Sequence, residues 1–118
     1  MKNSSVSNKC HITVHEALSK LPGPNGEHFV AVLEHGSLLV EVSAPRGPDT
    51  QKPHTRDEIY VVIQGSGMFK NGNSRHPFGP GDVLFVPAGL VHRFEDFSND
   101  LTVWVFFYGP EGGEAPRI

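Results

Sequence analysis

The sequence is dominated by short apolar segments rich in β-branched residues, and glycine, proline and asparagine separate these segments. The clearest of them are residues 28–35, 37–44, 57–64, 82–86, 91–95 and 101–108. Short strands that recur about every ten residues are typical of a β-sandwich or a closed barrel. Ahead of them, residues 12–20 favour no more than one or two helical turns before the breaker segment 21–26. The sequence therefore predicts an all-β fold with a short helical segment at its N-terminal side.

Glycine, asparagine and proline also indicate how the strands connect. Gly36 predicts a tight antiparallel turn between the first two segments, and the Asn71-Gly72 pair is a typical hairpin signal. Residues 77–81, which contain two prolines, are interpreted as a connection rather than a strand. A chain of 118 residues is long enough for one hydrophobic core. We predict an N-terminal segment that packs on or extends the barrel, then the barrel itself, then a tail, at residues 1–27, 28–110 and 111–118.

Composition and charge exclude several classes of partner. Lys and Arg number 10 against 13 Asp and Glu, for a formal net charge of −3 without a basic cluster, so no nucleic-acid partner is expected. No apolar segment reaches the roughly 18–20 residues that span a bilayer, so no membrane association is expected. The single cysteine, Cys10, cannot form an internal disulfide, and the N-terminus lacks the apolar stretch of a secretory signal. These features predict a cytoplasmic protein.

Strand geometry places three side chains where they could bind a metal ion. Because side chains on a strand alternate, His54, Glu58 and Tyr60 are expected on one face of the segment that begins at His54. His92 follows a turn at residues 87–89, which is expected to bring a second strand end back across the mouth of the barrel. Two imidazoles and one carboxylate are a known ligand set for non-haem iron, and they also suit zinc, manganese, nickel and copper. The sequence therefore predicts a metal site on His54, Glu58 and His92.

The two halves of this site resemble the two sequence motifs of the cupin superfamily. The first motif is matched in its second half by residues 54–58 (His-Thr-Arg-Asp-Glu), with Gly65 at the expected distance. The second is matched by residues 81–92 (Gly-Asp-Val-Leu-Phe-Val-Pro-Ala-Gly-Leu-Val-His), with Asp96 where asparagine is usual. The resemblance covers approximately residues 28–108. It implies a double-stranded β-helix, or jelly-roll barrel, with a metal ion in its mouth.

The sequence departs from the first cupin motif at one ligand position. Lys52 replaces the first histidine of the His-x-His pair, and its protonated amine has no lone pair to donate. The neighbouring Gln51 is the favoured candidate for the fourth ligand, since a small bulge at Pro53 would turn its amide oxygen toward the metal. Asp49 is a more distant substitute, and water is the remaining option. Alternatively, Asp49, Gln51 and Lys52 are simply loop residues without a role at the metal, and the sequence leaves this choice open.

Aromatic residues are expected around the metal. Tyr60 and Phe94 each follow a predicted ligand by two residues on its strand, so they should project into the same space. The other rings that are expected either to line this cavity or to fill the barrel are some of Phe69, Phe85, Trp104 and Phe106. Tyr60 is a candidate catalytic acid, base or hydrogen-bond donor. Arg56 is a second candidate, which either holds a substrate carboxylate or lies in solvent.

The resemblance is compatible with several functions. The first hypothesis is a small-molecule metalloenzyme of the dioxygenase, isomerase or lyase type, with one divalent transition metal (Zn, Fe, Mn, Ni or Cu) per chain. The second is a non-catalytic cupin that binds a metal or a small ligand without turnover. A third, a metal-free structural or sugar-binding barrel, is suggested only by Lys52. In every case the expected partner is a small-molecule ligand or substrate, and a homodimer is predicted, with the apolar hairpin at residues 28–44 as a contributor.

Overall fold

The computed structural model describes residues 10–115, so the first nine residues of the predicted N-terminal segment and the last three of the predicted tail lie outside the described residues. The elements are α1 (Val14–Leu18), β1 (Phe29–His35), β2 (Leu38–Ser43), β3 (Asp57–Gln64), β4 (Gly67–Asn71), β5 (Ser74–Phe78), β6 (Val83–Val86), β7 (His92–Glu95) and β8 (Thr102–Tyr108). They form a five-stranded antiparallel sheet in the order β1-β2-β8-β3-β6 and a three-stranded antiparallel sheet in the order β5-β4-β7. The predicted all-β, jelly-roll fold with one short helix is confirmed.

The main hydrophobic core takes residues from both sheets. On β3 the burial alternates as the strand period requires, because Tyr60 and Val62 are buried whereas Val61 between them is only partly so. Phe69 and Phe94 of the smaller sheet join this core, and their ring centroids lie 5.0 Å apart. The buried members of the core are Tyr60, Val62, Phe69, Phe78, Leu84, Val86, Phe94, Leu101, Val103 and Val105.

A second, smaller core lies on the opposite face of the large sheet, under helix α1. Ala17 of the helix and Val42 of β2 are fully buried, and Trp104 of β8 packs against them. The helix begins after Thr13, whose side-chain oxygen accepts a hydrogen bond of 3.0 Å from the Glu16 backbone N–H and so caps the first turn. No helix within residues 10–115 is long and apolar enough to cross a membrane.

The register of the large sheet fixes which residues face the interior next to one another. Glu41 on β2 pairs with Val105 on β8, and Val105 pairs with Tyr60 on β3. Paired side chains lie on the same face of a sheet. Val42, which follows Glu41, packs under helix α1, so strand alternation turns Glu41 to the interior. A carboxylate thus enters the barrel in one row with two buried residues.

Strand β5 corrects part of the sequence interpretation. Residues 77–81 were expected to form a connection, but the first two of them belong to β5. Proline lacks the backbone N–H that a central strand needs, yet Pro77 is accommodated because β5 is an edge strand of the smaller sheet. The two predicted turns are confirmed. Gly36 and Gly72 have φ values of +58° and +63°, which glycine adopts more readily than other residues.

The residues after β8 return to the beginning of β3. The Gly112 N–H donates to the Thr55 carbonyl oxygen at 2.7 Å, and the Glu114 N–H donates to the Asp57 carboxylate at 2.9 Å. The other carboxylate oxygen of Asp57 accepts a hydrogen bond of 2.9 Å from the Ala88 N–H, and Asp57 itself is buried. One carboxylate therefore ties together the C-terminal segment, the turn before β7 and the beginning of β3.

Candidate metal centre

Three side chains predicted from the sequence meet at one end of the barrel interior. Glu58 Oε1 lies 3.2 Å from His92 Nε2 and 3.6 Å from His54 Nε2. The candidate ligand atoms of all three residues lie within 4.8 Å of one another. Glu58 and His92 are buried, whereas the His54 side chain is 33% exposed. The cluster is therefore reachable from the His54 side and closed on the His92 side.

Backbone hydrogen bonds hold the three residues in place although they come from different elements. Glu58 is the second residue of β3, His54 precedes that strand, and His92 begins β7 in the other sheet. The turn that leads to His92 is attached to the segment that carries His54, because the Gly89 N–H donates to the His54 carbonyl oxygen at 2.7 Å. Gly89 has a φ of +82°, which favours glycine at this position. The loop before β3 and the turn before β7 thus form one unit.

The protonation of His92 makes the cluster suited to a cation. His92 Nδ1 lies 2.9 Å from the Leu90 carbonyl oxygen, which can only accept, so Nδ1 carries the hydrogen and Nε2 presents its lone pair. Nε2 faces Glu58 Oε1, and both atoms are buried without a hydrogen-bond partner in residues 10–115. Two acceptors at 3.2 Å repel each other unless a positive charge lies between them, which is either a proton on Nε2 or a metal ion. Burial lowers the pKa of His92, but the contacts with Glu58 and Leu90 outweigh it and raise the pKa overall.

Gln51 directs its amide oxygen at the same cluster. Its Oε1 lies 3.2 Å from His54 Nε2, and its Nε2 donates to Asp49 at 2.7 Å, which fixes the orientation of the amide. Asp49 is in turn anchored by the Phe94 N–H at 2.8 Å. Ligands about 2.1 Å from one ion lie roughly 3–4 Å apart, so these donor-atom separations fit a single transition metal. Lys52 is exposed and takes no part in the cluster.

Tyr60 lies beside the cluster as a hydrogen-bond donor. Its ring is buried, and its hydroxyl donates to Gln51 Oε1 at 3.1 Å. Burial, reinforced by the negative charge of Glu58, raises the pKa of the Tyr60 hydroxyl well above its usual value. The phenol therefore stays neutral at ordinary pH. Of the roles considered from the sequence, hydrogen-bond donor is the one that this environment favours.

Arg56 is the one predicted site residue that the structure does not bring to the cluster. Its guanidinium donates to the Ser37 carbonyl oxygen in the turn between β1 and β2, and the side chain does not line the cavity. Instead, Arg46 lines it and donates to the carbonyl oxygens of Pro45 and Leu101 at 2.6 Å and 3.0 Å. Sequence reasoning missed Arg46 because the loop before β3 has no periodicity that would show which side chains point inward.

A cavity of about 650 Å³ opens onto the cluster. Its walls include the predicted Tyr60 and Phe94, and also Phe107, whose ring centroid lies 5.1 Å from that of His54. The other aromatic candidates have different positions. Phe69 is buried in the main core, Phe85 is 47% exposed, Trp104 packs under helix α1, and Phe106 does not line the cavity. On β8, Phe107 lines the cavity and Trp104 and Phe106 do not, because the odd-numbered residues of this strand face the interior.

Glu41 is a cavity residue that sequence reasoning missed. Burial, followed by the nearby charge of Glu58, raises its pKa to about 7. An acidic residue between two valines of an apolar strand was the signal that could have found it. Such a residue must face either the helix-covered side or the barrel interior, and both are unusual environments for a carboxylate.

Comparison with known sequences places this site in a family context. A 63-residue segment is 43% identical to an uncharacterised protein of Streptomyces coelicolor, over 53% of this chain and 60% of that protein. Acireductone dioxygenase of Drosophila melanogaster is 33% identical over 51% of this chain and 36% of its own length. The oxalate-binding protein of Thermotoga maritima is 28% identical over 71% of this chain and 77% of its own length. The chain thus spans less than two thirds of the first two relatives.

The fold and a family match point in the same direction. A solved protein of Klebsiella pneumoniae with a double-stranded β-helix domain superposes with a TM-score of 0.66 at 21% identity, over 85% of this chain and 90% of that one. Residues 39–108, more than half of the chain, match the family described as the cupin domain. That match includes His54, Glu58 and His92 and both sequence motifs. The chain therefore belongs to the cupin family.

Proposed function

We propose that this protein binds one divalent transition metal ion through His54, Glu58, His92 and Gln51 and acts on a small molecule that enters the adjoining cavity. The observation that carries the proposal is the pair of buried acceptors, Glu58 Oε1 and His92 Nε2, that face each other at 3.2 Å. A buried polar atom without a partner is destabilising, and one cation contacted by both removes the cost. Metal binding thus gives this arrangement a physical reason.

The donor set and the cavity favour catalysis over a purely structural metal. Structural zinc is usually enclosed by four protein ligands, often thiolates, whereas this cluster contains no cysteine and opens to a cavity. A metal ion at such a site supplies Lewis-acid or redox chemistry to a ligand at its open positions. The Tyr60 hydroxyl donates to Gln51 Oε1 and so orients that proposed ligand, and the rings of Phe94 and Phe107 give the cavity an apolar wall. Imidazole and oxygen donors suit Fe, Mn, Ni, Zn or Cu.

The reaction class that we favour is that of a dioxygenase, and an isomerase or lyase uses the same ligand set. Similarity to acireductone dioxygenase supports the first choice. The second candidate is a cupin that holds a small ligand at its metal without turnover. Similarity to an oxalate-binding protein over most of both chains favours it. Arg56 has no role in either proposal, because its guanidinium is bonded to the turn between β1 and β2.

Elemental analysis of protein purified without added metal tests the metal centre. We expect about one transition-metal ion per chain in the wild type and less than about a tenth of that in His92→Ala, because the neighbouring side chains cannot replace the lost imidazole ligand. His35→Ala is the matched control, since His35 is exposed at the end of β1 and far from the cluster in sequence. Absence of metal from the wild type, even after incubation with Fe²⁺, Mn²⁺, Ni²⁺ and Zn²⁺, would leave the metal-free barrel as the remaining hypothesis.

Turnover separates the two candidate functions once the metal is known. Oxygen consumption by the Fe²⁺-loaded protein with an acireductone as substrate, absent in Glu58→Gln, would support a dioxygenase. Tight binding of oxalate by the loaded protein with no consumption of O₂ or change of the ligand would support the binding function. Both quantities are measured on the same preparation, so that a difference in metal loading cannot account for the result.

We also propose that the protein is a cytoplasmic homodimer. The lone Cys10, exposed and unpaired, is compatible with a reducing compartment. Support for the dimer comes from apolar side chains left in solvent, namely Phe29 at the start of β1 and Val83 and Phe85 on the edge strand β6, which are 48%, 66% and 47% exposed. A monomeric mass in light scattering would contradict the dimer.

A further inference from the structure

Glu41 occupies the cavity but is not part of the metal centre. Its carboxylate lines the same space as His54, Glu58 and Tyr60, whereas the metal-binding group consists of His54, Glu58 and His92. The strand register places Glu41 there, because Val105 pairs with it on one side and with Tyr60 on the other. The side chain therefore projects into the cavity as a consequence of the fold and not by a loop conformation.

Two of the other three carboxylates of the cavity have hydrogen-bond donors, and the third, Glu58, belongs to the metal centre. Glu27 accepts the Asn25 N–H at 2.8 Å, and Asp49 accepts from Gln51 and from the Phe94 N–H. Glu58 faces the two imidazoles of the metal centre. For Glu41, the described residues 10–115 supply neither a hydrogen-bond donor nor a salt-bridge partner, and the charged group that acts on it most strongly is the like-charged Glu58.

The charge balance of the cavity makes this lack of a partner significant. Four carboxylates line it, from Glu27, Glu41, Asp49 and Glu58, and the one Arg or Lys among the lining residues is Arg46. The Arg46 guanidinium already donates to two backbone carbonyl oxygens. A partly buried carboxylate without a donor is unfavourable, and the raised pKa of Glu41, about 7, reflects that environment. A ligand that brings a donor or a positive charge would remove the cost.

The separation of Glu41 from the metal centre sets the length of such a ligand. Strands β2 and β3 are separated by β8, so their backbones lie about 10 Å apart in the sheet. The side chains of Glu41 and Glu58 project from the same face of the large sheet, and a metal–ligand bond at one end of a ligand and a hydrogen bond at the other together take up about half of this gap. A chain of about four to six atoms spans what is left, and a cavity of about 650 Å³ accommodates it.

We propose that Glu41 determines the specificity of the cavity by binding a hydroxyl or ammonium group at the far end of a ligand whose near end is held at the metal centre. The ligand class is then a small neutral or cationic molecule with a hydrogen-bond donor several atoms from its metal-binding group. Molecules with a second carboxylate at that distance are disfavoured by like-charge repulsion. This inference rests on the proposed function, because the metal centre must hold the near end.

Four short acids with different far ends test the proposal. Butyrate, γ-hydroxybutyrate, γ-aminobutyrate and succinate share one carboxylate for the metal and carry a methyl, hydroxyl, ammonium or carboxylate group at the other end. Dissociation constants are measured by NMR titration of the Zn²⁺-loaded protein at pH 8, above the Glu41 pKa of about 7, so that its carboxylate is ionised. We expect γ-aminobutyrate to bind at least about tenfold more tightly than succinate, with γ-hydroxybutyrate between them, because opposite and like charges meet the same carboxylate.

Two isosteric variants decide whether Glu41 is responsible. Glu41→Gln should reduce the ratio between γ-aminobutyrate and succinate to less than about threefold, since the amide keeps the shape and loses the charge. Glu27→Gln removes a carboxylate from the same cavity whose hydrogen bonds are already made, and it should keep the wild-type ratio. A wild type that does not discriminate, or a ratio that survives in Glu41→Gln, overturns the assignment of Glu41.

The experiment separates this inference from the proposed function. The zinc content of each sample is measured first, and equal loading of wild type and Glu41→Gln is expected because Glu41 is not among the metal-binding group. A wild type that takes up no zinc overturns the proposed function, and the inference that depends on it also fails. A fully loaded wild type with no discrimination leaves the metal centre intact and rejects the role of Glu41 alone.

Discussion

Strand β2 presents two different environments on its two faces. Val40 and Val42 lie under helix α1 in an apolar cluster with Ala17. Glu41, between them, enters a cavity together with Glu58 and His54, and neither Glu41 nor Glu58 Oε1 has a hydrogen-bond donor in the described residues. The apolar side chains on the helix side pack against one another and need no ligand. On the cavity side, the polar groups without a donor need a metal ion or a ligand that the chain does not provide. Side-chain alternation alone separates the two.

Placing a charge on the helix-covered face of β2 should have the largest effect on stability. Val42→Asp buries an unpaired carboxylate under helix α1, and we expect it to lower the free energy of unfolding by roughly 3–5 kcal/mol. Val42→Ala is the control, since it creates only a small cavity. Urea denaturation measures both variants. Equal stability of the two would show that the helix side tolerates charge as the cavity side does.

Metal binding on the cavity side should have the second largest effect on stability. A ligand that binds only the folded state at about 100 times its dissociation constant adds roughly 2.7 kcal/mol to stability. We expect a gain of this size when Zn²⁺ is added to metal-free protein, and none in His92→Ala. Thermal denaturation with and without a chelator measures it, and His35→Ala should respond as the wild type does. A stabilisation that persists in His92→Ala would place the metal elsewhere.

Neutralising Glu41 should stabilise the metal-free protein in one pH window only. Its pKa is about 7 in the folded state against 4.5 for an ordinary glutamate, so the folded state binds the proton more tightly. Stability is therefore lost as the pH rises from 4.5 to 7, and the loss is complete above that range. Glu41→Gln should gain about 1–2 kcal/mol over the wild type at pH 8 and nothing at pH 4. Thermal melts at the two pH values test this, and a gain that is equal at both would contradict it.

The smallest effect should come from the helix cap. Thr13→Ala removes the acceptor for the Glu16 N–H, at a cost of about 0.5–1 kcal/mol. Because the helix covers the opposite face from the cavity, metal content and the affinity for the four test acids should not change. Urea denaturation and elemental analysis of one preparation measure both quantities. A change in metal content would show that the two faces of β2 are coupled.

Most of the fold could be predicted because its strands are marked by local signals. The segment 57–64 was predicted with the bounds that β3 has in the structure, and the turns at Gly36 and Gly72 carry their usual residues. Strand β5 was missed because Pro77 argues against a strand unless the strand lies at a sheet edge. Edge position is a property of the assembled sheet, and no local pattern reports it.

The site could be predicted in part for a similar reason. His54, Glu58 and His92 were identified from alternation and from the cupin motifs, and the structure brings them within 4.8 Å. The orientation of Arg56 and Arg46 could not be predicted, since both lie outside the strands, where no period fixes the direction of a side chain. Gln51 is one of several candidates for the fourth ligand in the sequence; the contact with Asp49 orients its amide, and its role as a ligand stays a prediction.

The sequence by itself determined most of the strands, the turns and the identity of the three clustered side chains, because strand period, turn residues and motif spacing are all local properties. Only the tertiary structure decided which acceptors are left without donors and which face of β2 is covered. Those outcomes depend on the pairing of β2 with β8 and of β8 with β3, which joins residues far apart in the chain. The same pairing brings Glu41 into the cavity of the metal centre, because residues paired across a sheet share one face.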